Sequence, residues 1–338
     1  MSDDLCLENY GYHLPEELIA QYPLPDRDQA RLMVIDRQTQ SIRHDRFFNL
    51  AKYLPENSLI VINDSRVIPA RLLGRRQTGG QVEVFLLKAL PDGFSYEALI
   101  RPLKKIQEGE TLCLEGDVRV TLIDKEKRIV RFDRKNILKD LQKSGHIPLP
   151  PYITRPDEPL DKEYYQTVYA AQSGSVAAPT AGLHFTDQLM DDIIKKGHEF
   201  ARVTLHVNYG TFKPVEEDNI TNHPMHYEEY QMEGAVYQKL NGAKTEERKV
   251  VAVGTTSCRT LESIAKTGKT RDQTNLFIYP GYDFKMVDVL ITNFHLPYST
   301  LLMLVCAFAG RDLVMKAYKE AAEQKYRFYS YGDAMIII

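Results

Sequence analysis

The side chains that could carry chemistry gather in a few short strings. "VINDSRVIPAR" places Asn63, Asp64, Ser65 and Arg66 directly after an apolar run. "SVAAPTAGLHFT" (175–186) holds one titratable group, His184, among small, hydroxylic and apolar neighbours. "VTLHVNYGTF" sets His206 in an apolar run and follows it with Gly210, Thr211 and Phe212. "NHPMHYEEY" (222–230) carries His223, His226, Glu228 and Glu229. "AVGTTSCRTLE" reads as strand, glycine turn and helix, with hydroxyls at Thr255, Thr256 and Ser257 and then Arg259. A helix start there offers free N–H groups to a carboxylate or phosphate, although Ser257 could simply cap it. "YPGYDF" (279–284) is a tight turn among aromatics, including Tyr282 and Phe284, which could stack on a base or pack in a core.

Five of the nine histidines, His184, His206, His223, His226 and His295, lie in or beside these strings. Imidazole and carboxylate together suit zinc ligation or general acid–base work near neutral pH. The spacings match no standard zinc motif, so acid–base work fits better. No GxGxxG follows a strand, and HExxH is absent. "SIAKTGKT" (263–270) has Ser263 where a phosphate loop needs its first glycine, and it follows a helix. "TGKT" therefore reads as a helix stop.

Two kinds of element must position these strings. "SLIVIND" (58–64), "FARVTLHV" (200–207), "KVVAVGTTS" (249–257), "TNLFIYP" (274–280) and "VDVLITNF" (287–294) read as buried strands. "TDQLMDDIIKKG", "SCRTLESIAKTG" and "STLLMLVCAFAGRDLVMKAYKEAAEQK" read as helices between them, which predicts an α/β domain. The polar strings then fall at strand ends, where open α/β sheets bind ligands. Residues 66–150 differ. "RLLGRR", "QVEVFLLKAL", "FSYEALIRP", "TLCLEG", "VRVTLID" and "RIVRFD" are short strand-like runs without helices between them, several separated by turn signals. They predict a small antiparallel β-barrel inserted at 66–150 into an α/β domain made of 1–65 and 151–338. Thr186 reads as the N-cap of the helix that follows it.

Composition narrows the classes. Hydrophobic content of 43% and charged content of 26% are those of an ordinary globular protein. A net charge of −3 excludes a globally basic nucleic-acid binder, but residues 66–150 hold 17 basic and 11 acidic side chains. Such a region suggests a face for a polyanion. "MSDDLCLENY" predicts no secretory leader, and "TLLMLVCAFAG" is too short to span a bilayer. Cys6, Cys113, Cys258 and Cys306 are far apart and fit reduced thiols in a cytoplasmic protein.

A dozen strings in this order, among them "NDSRVIPARL", "TGGQVEVFLL", "GSVAAPTAGLHFT", "TLHVNYGTF", "MHYEEY", "AVGTTSCRTLE", "FIYPGYDF", "TNFHLPYSTLLMLV" and "YRFYSYGDAM", closely resemble the S-adenosylmethionine:tRNA ribosyltransferase-isomerase family of queuosine biosynthesis. The resemblance runs from about residue 10 to the C-terminus. It implies transfer and rearrangement of the ribosyl part of S-adenosylmethionine onto 7-aminomethyl-7-deazaguanine at the wobble position of tRNA. Epoxyqueuosine forms, and adenine and methionine leave. It implies no metal or redox cofactor, S-adenosylmethionine being a substrate, and we expect a monomer. Its three proton-handling steps point to His184, His206, His226 and Glu228 as catalytic candidates. Substrate-binding candidates are Asn63, Asp64, Arg66, Thr211, Thr255, Thr256, Ser257, Arg259, Tyr282, Phe284 and His295. Arg75, Arg76, Arg101, Lys104 and Lys105 are candidates for tRNA phosphates. The chain has Asn208 where family members usually have glycine, and asparagine tolerates positive φ better than most residues.

Overall fold

A strand built wholly of apolar residues needs cover on both faces. LIVIN (59–63) and VLITN (289–293) are apolar up to their polar last residues, and every residue in them is buried. In the computed structural model, which describes residues 3–207 and 215–338, both lie inside one large sheet. The chain begins with β1 (Arg31–Asp36), β2 (Ser41–Arg46), β3 (Leu59–Asn63) and β4 (Ser65–Val67). Six strands follow: β5 (Arg71–Arg76), β6 (Gln81–Ala89), β7 (Ser95–Arg101), β8 (Thr111–Leu114), β9 (Val118–Asp124) and β10 (Ile129–Phe132). After α1 (Leu138–Ser144) and α2 (Asp161–Tyr164) come β11 (Gln172–Ser175), α3 (Asp187–Lys195), β12 (Glu199–Leu205), β13 (Glu228–Gln231) and α4 (Gly234–Thr245). The chain ends with β14 (Val250–Val253), α5 (Gly254–Thr267), β15 (Arg271–Thr274), β16 (Val289–Asn293), α6 (Thr300–Ala309), α7 (Arg311–Glu323) and β17 (Ala334–Ile337).

The fold is α/β. Nine strands form one sheet in the order β15-β13-β12-β3-β14-β16-β17-β1-β2. β12, β3, β14 and β16 run parallel to one another, so Leu205, Asn63, Val253 and Asn293 finish on one edge. β17 is antiparallel to β16 and pairs Ala334 with Asn293, which brings Asp333 to the same edge. Leu59 and Val61 face a core that includes Leu261, Leu302 and Val314 of the helices; Ile60 and Ile62 face Phe47, Phe185 and Ile193 on the other side.

β5 to β10 close into a six-stranded antiparallel barrel in the order β10-β7-β6-β5-β8-β9. Inward residues such as Leu72, Val84, Ala98, Leu112, Val120 and Val130 fill it. At Gly74 a Cβ would lie 2.3 Å from the Cys113 carbonyl, so only glycine admits this approach of β5 to β8. β4 precedes the barrel and pairs with β11 outside it. Lys88 of β6 reaches Glu229 of β13 at 2.8 Å, an ion pair between barrel and sheet.

Three readings of the sequence change. "TNLFIYP" is not a strand: β15 ends at Thr274 and residues 275–280 are irregular. The long final helix is two, broken at Gly310, whose φ of +85° no helix accepts. Ser257 does not cap α5, because the helix starts three residues earlier, at Gly254. Thr186 does cap α3, its hydroxyl accepting from the Leu189 N–H at 3.1 Å, and Gly268 ends α5 with φ +70°. No helix among the described residues is long and apolar enough to cross a membrane.

The irregular segment after β15 is anchored from α5. The fully buried Glu262 accepts from the backbone N–H groups of Lys285, Met286 and Val287 at 2.9–3.0 Å and from the Tyr282 hydroxyl at 3.2 Å. Glu262→Ala leaves three N–H groups without their acceptor and is expected to lower the unfolding free energy in urea by roughly 3 kcal/mol or more. Glu262→Gln, which keeps one acceptor oxygen, should lose less; equal stability of all three proteins would contradict the anchor.

Candidate active site

Where β14 gives way to α5 the chain turns at Gly254 with φ +87°, a conformation that suits glycine alone. Val253 precedes the helix without a capping side chain. The first turn, Gly254–Thr255–Thr256, therefore presents N–H groups and hydroxyls to a cleft it helps to line. The cleft holds about 720 Å³ of empty space, part of it continuous with solvent. Ala178, Pro179, Thr180 and Ala181 form a second wall, and Thr292 to Leu296 a third. Tyr152, Tyr329 and Ser330 close the remaining side.

Two buried asparagines stand at the strand ends around it. Asn63, at the end of β3, donates from Nδ2 to the Leu205 carbonyl at 3.0 Å and to Thr256 Oγ1 at 3.3 Å. Its Oδ1 accepts from the N–H groups of Ser65 and Leu205 at 3.1 Å each. Its hydrogen-bonding capacity is thus filled within the protein, and it is no longer available to a ligand. Asn293, at the end of β16, donates from Nδ2 to His184 Nε2 at 3.0 Å.

His184 stands behind the cleft wall, its ring centroid 5.0 Å from that of Phe47. His295 lies in the wall itself, with Nε2 2.8 Å from Thr292 Oγ1 and its backbone N–H donated to the Tyr318 hydroxyl. Burial lowers His184 from 6.5 to about 4 and His295 to about 3, so both rings are neutral at pH 7. Burial also raises Asp333, which accepts from the N–H groups of Arg31 and Arg327 at 2.8 Å, and Asp64, which accepts from the Thr204 hydroxyl at 2.7 Å.

The structure thus gathers Thr255, Thr256 and His295 on the cleft, with Asn63 and His184 supporting it. The other candidates lie elsewhere. His206 follows β12 beside Gly174, where burial lowers its pKa against the opposing charges of Glu229 and Asp64. Its Nδ1 is buried with no hydrogen-bond partner among the described residues. Glu228 of β13 forms a buried ion pair with Arg259, whose Nε donates to the Leu276 carbonyl at 3.1 Å. Ser257 is fully buried. His226 is exposed on the loop before β13. Tyr282 is held by Glu262, and Phe284 packs edge-on against Phe308 at 4.9 Å. Arg66 donates to the Ala170 carbonyl from an exposed position. Thr211 and Asn208 lie outside the described residues.

On the barrel, Arg76 is held by both oxygens of Glu110 at 2.7 and 3.0 Å. Arg75 and Arg101 flank a shallow groove that also includes Arg71, Leu73 and Cys113. Lys104 and Lys105 are exposed on the turn after β7. Among the described residues no three His, Cys, Asp or Glu are grouped to hold a metal ion. Sequence reasoning missed Asn293, Tyr152 and Tyr329. The signal for Asn293 was present: "VLITN" ends a buried apolar run in asparagine just as "LIVIN" does.

The neutral histidines make stability depend on pH. On unfolding, each ring regains its ordinary affinity for protons, so the unfolded chain binds more protons between about pH 6.5 and 4. Their contribution is present above pH 6.5 and is lost as pH falls through this window. Compared with the wild type, His184→Gln should show a flatter fall of the urea midpoint between pH 7 and pH 5. An equally steep fall would place the titration elsewhere.

A family model described as "Queuosine biosynthesis protein" matches residues 7–337. The chain is 49% identical over 335 residues to the S-adenosylmethionine:tRNA ribosyltransferase-isomerase of Sulfurihydrogenibium sp. (strain YO3AOP1), covering 98% of this chain and 99% of that one. To the protein of the same name from Carboxydothermus hydrogenoformans it is 50% identical over 341 residues, covering 98% and 99%. The crystal structure of S-adenosylmethionine tRNA ribosyltransferase from Thermotoga maritima is similar with a TM-score of 0.56 at 38% identity, covering 98% of this chain and 100% of that one. Fold and similarity along the whole chain agree, and the chain belongs to the queuosine biosynthesis protein family, that of the S-adenosylmethionine:tRNA ribosyltransferase-isomerases.

Proposed function

We propose that this protein transfers and isomerises the ribosyl moiety of S-adenosylmethionine onto 7-aminomethyl-7-deazaguanine at the tRNA wobble position, giving epoxyqueuosine and releasing adenine and methionine. The observation that carries this reading is the cleft itself. An uncapped helix start, an apolar and aromatic wall, and a neutral histidine meet at the carboxyl ends of parallel strands. The first turn of α5 suits the carboxylate of the amino-acid tail. Tyr152 and Tyr329 offer apolar surface to a heterocycle.

His295 is the acid–base candidate that lines the cleft. Burial keeps it neutral, which leaves a ring lone pair but weakens it as a base, and its Nε2 lies 2.8 Å from Thr292 Oγ1. The sulfonium acidifies the hydrogens on the adjacent ribose carbon, so a neutral imidazole there is the group to remove one. His184 supports the cleft from behind through Asn293. We propose further that no metal or redox cofactor takes part, that the protein acts as a monomer, and that residues 66–150 form a separate RNA-gripping insert. Arg75, Arg101, Lys104 and Lys105 are its phosphate contacts; Arg76 is held by Glu110.

Incubation with S-adenosylmethionine and tRNA carrying the aminomethyl-deazaguanine should release adenine and methionine in equal amounts with a mass gain on the tRNA. No adenine release would refute the reading. The double variant Arg75→Glu, Arg101→Glu should bind tRNA more weakly and with a shallower salt dependence, by about one unit of logarithmic slope for each phosphate no longer neutralised. Unchanged binding would remove the barrel groove from the RNA interface.

A further inference from the structure

Asn293 is 2% exposed and lies in the cleft wall. Its Nδ2 faces three acceptors: His184 Nε2 at 3.0 Å and the carbonyls of Tyr329 and Asp333 at 3.3 Å each. Carbonyl oxygens only accept, so the NH₂ end of the carboxamide must point at them and Oδ1 must point away. With the NH₂ end so placed, His184 Nε2 is the acceptor and its ring proton lies on Nδ1, a tautomer open to a neutral ring. Oδ1 itself is buried and has no hydrogen-bond partner among the described residues. Asn63, in the matching position on β3, has both ends of its carboxamide filled by the protein. Native interiors rarely leave a buried acceptor without a donor, and because Asn293 lines the cleft a ligand there is the nearest source of one.

The surroundings narrow the ligand group. Pro179, Val207, Leu296 and Tyr329 make this part of the wall apolar or aromatic. That environment suits a flat ring better than a charged tail. The group required is an N–H donor in the plane of such a ring.

We propose that Asn293 Oδ1 accepts a hydrogen bond from the exocyclic amine of the adenine of S-adenosylmethionine, and that His184 is the positioning residue that aims the carboxamide. This rests on the proposed function above. It makes Asn293 the residue that distinguishes an aminopurine from other bases. It also leaves the ring nitrogen N3 of adenine open to the proton that must arrive as the base departs.

The test compares S-adenosylmethionine with its analogue carrying unsubstituted purine in place of adenine. The readout is the ratio of kcat/KM values with modified tRNA. Wild type should prefer the natural compound by about tenfold or more. In Asn293→Ala the ratio should collapse towards one. A ratio that survives in a variant still consuming S-adenosylmethionine would overturn the inference alone. Turnover of neither compound by wild type would overturn the proposed function and the inference with it. A third compound, lacking the α-amino group, should be penalised equally in both proteins. Selective relief of that penalty in Asn293→Ala would assign Oδ1 to the methionine end and refute the adenine contact. His184→Leu, which leaves Asn293 in place, should lower the ratio severalfold. His184→Gln, whose carbonyl can still accept from Nδ2, should restore it, whereas equal ratios in both would remove His184 as the positioning residue. Thermal unfolding of each variant confirms that it is folded before it is assayed.

Discussion

Parallel strands that stop together leave backbone groups beyond their last ladder bonds, and in a buried edge those groups need partners. Here two carboxamides supply them. Asn63 carries the pairing between β3 and β12 one step further by bonding both the N–H and the carbonyl of Leu205. Asn293 ties β16 to the turn before β17 through the carbonyls of Tyr329 and Asp333. A cleft can open between these strands because its floor is held by side chains instead of ladder bonds. The first clasp also reaches the start of α5 through Thr256, and the second reaches His184.

The bland loop at 175–186 follows from the same constraint. Ser175 Oγ donates to the Ala177 carbonyl and accepts from the Val207 N–H, which ties the loop to the end of β12. A Cβ at Gly182 would lie 2.0 Å from the Tyr169 hydroxyl, and one at Gly254 would lie 3.7 Å from that of Ala181. Gly182 is small because the Tyr169 side chain fills the space beside it. His184 is the exception, and its ring fills the space behind Asn293. Its burial trades charge for a fixed hydrogen-bond acceptor.

Much of the fold was legible in the sequence because it is written in local period. The barrel strands alternate in and out, β3 and β16 are continuous apolar runs, and Thr186 and Gly268 mark helix ends. The break at Gly310 was less legible, since an apolar pattern continues across it and only the backbone angle shows the turn. "TNLFIYP" has strand composition, but it leads into a loop that Glu262 anchors further on, at Lys285 to Val287. The site was legible by region and not by role. Loops of the right kind were identified, yet residue type cannot show that Glu228 is neutralised by Arg259. Nor can it show that Asn63 is saturated while Asn293 keeps one end unpaired among the described residues. Those distinctions depend on which groups face one another across the sheet.

The basic barrel stands beside this edge, joined to the sheet by the Lys88–Glu229 pair. A substrate with a polyanionic body and a small reacting end suits the arrangement: phosphates on the barrel, chemistry in the cleft. If the cleft holds S-adenosylmethionine, a crystal of the protein soaked with it should show the ligand between the first turn of α5 and the wall of Thr292 to Leu296, with its carboxylate on the helix start. Well-ordered ligand at another site, with this cleft empty, would contradict that placement.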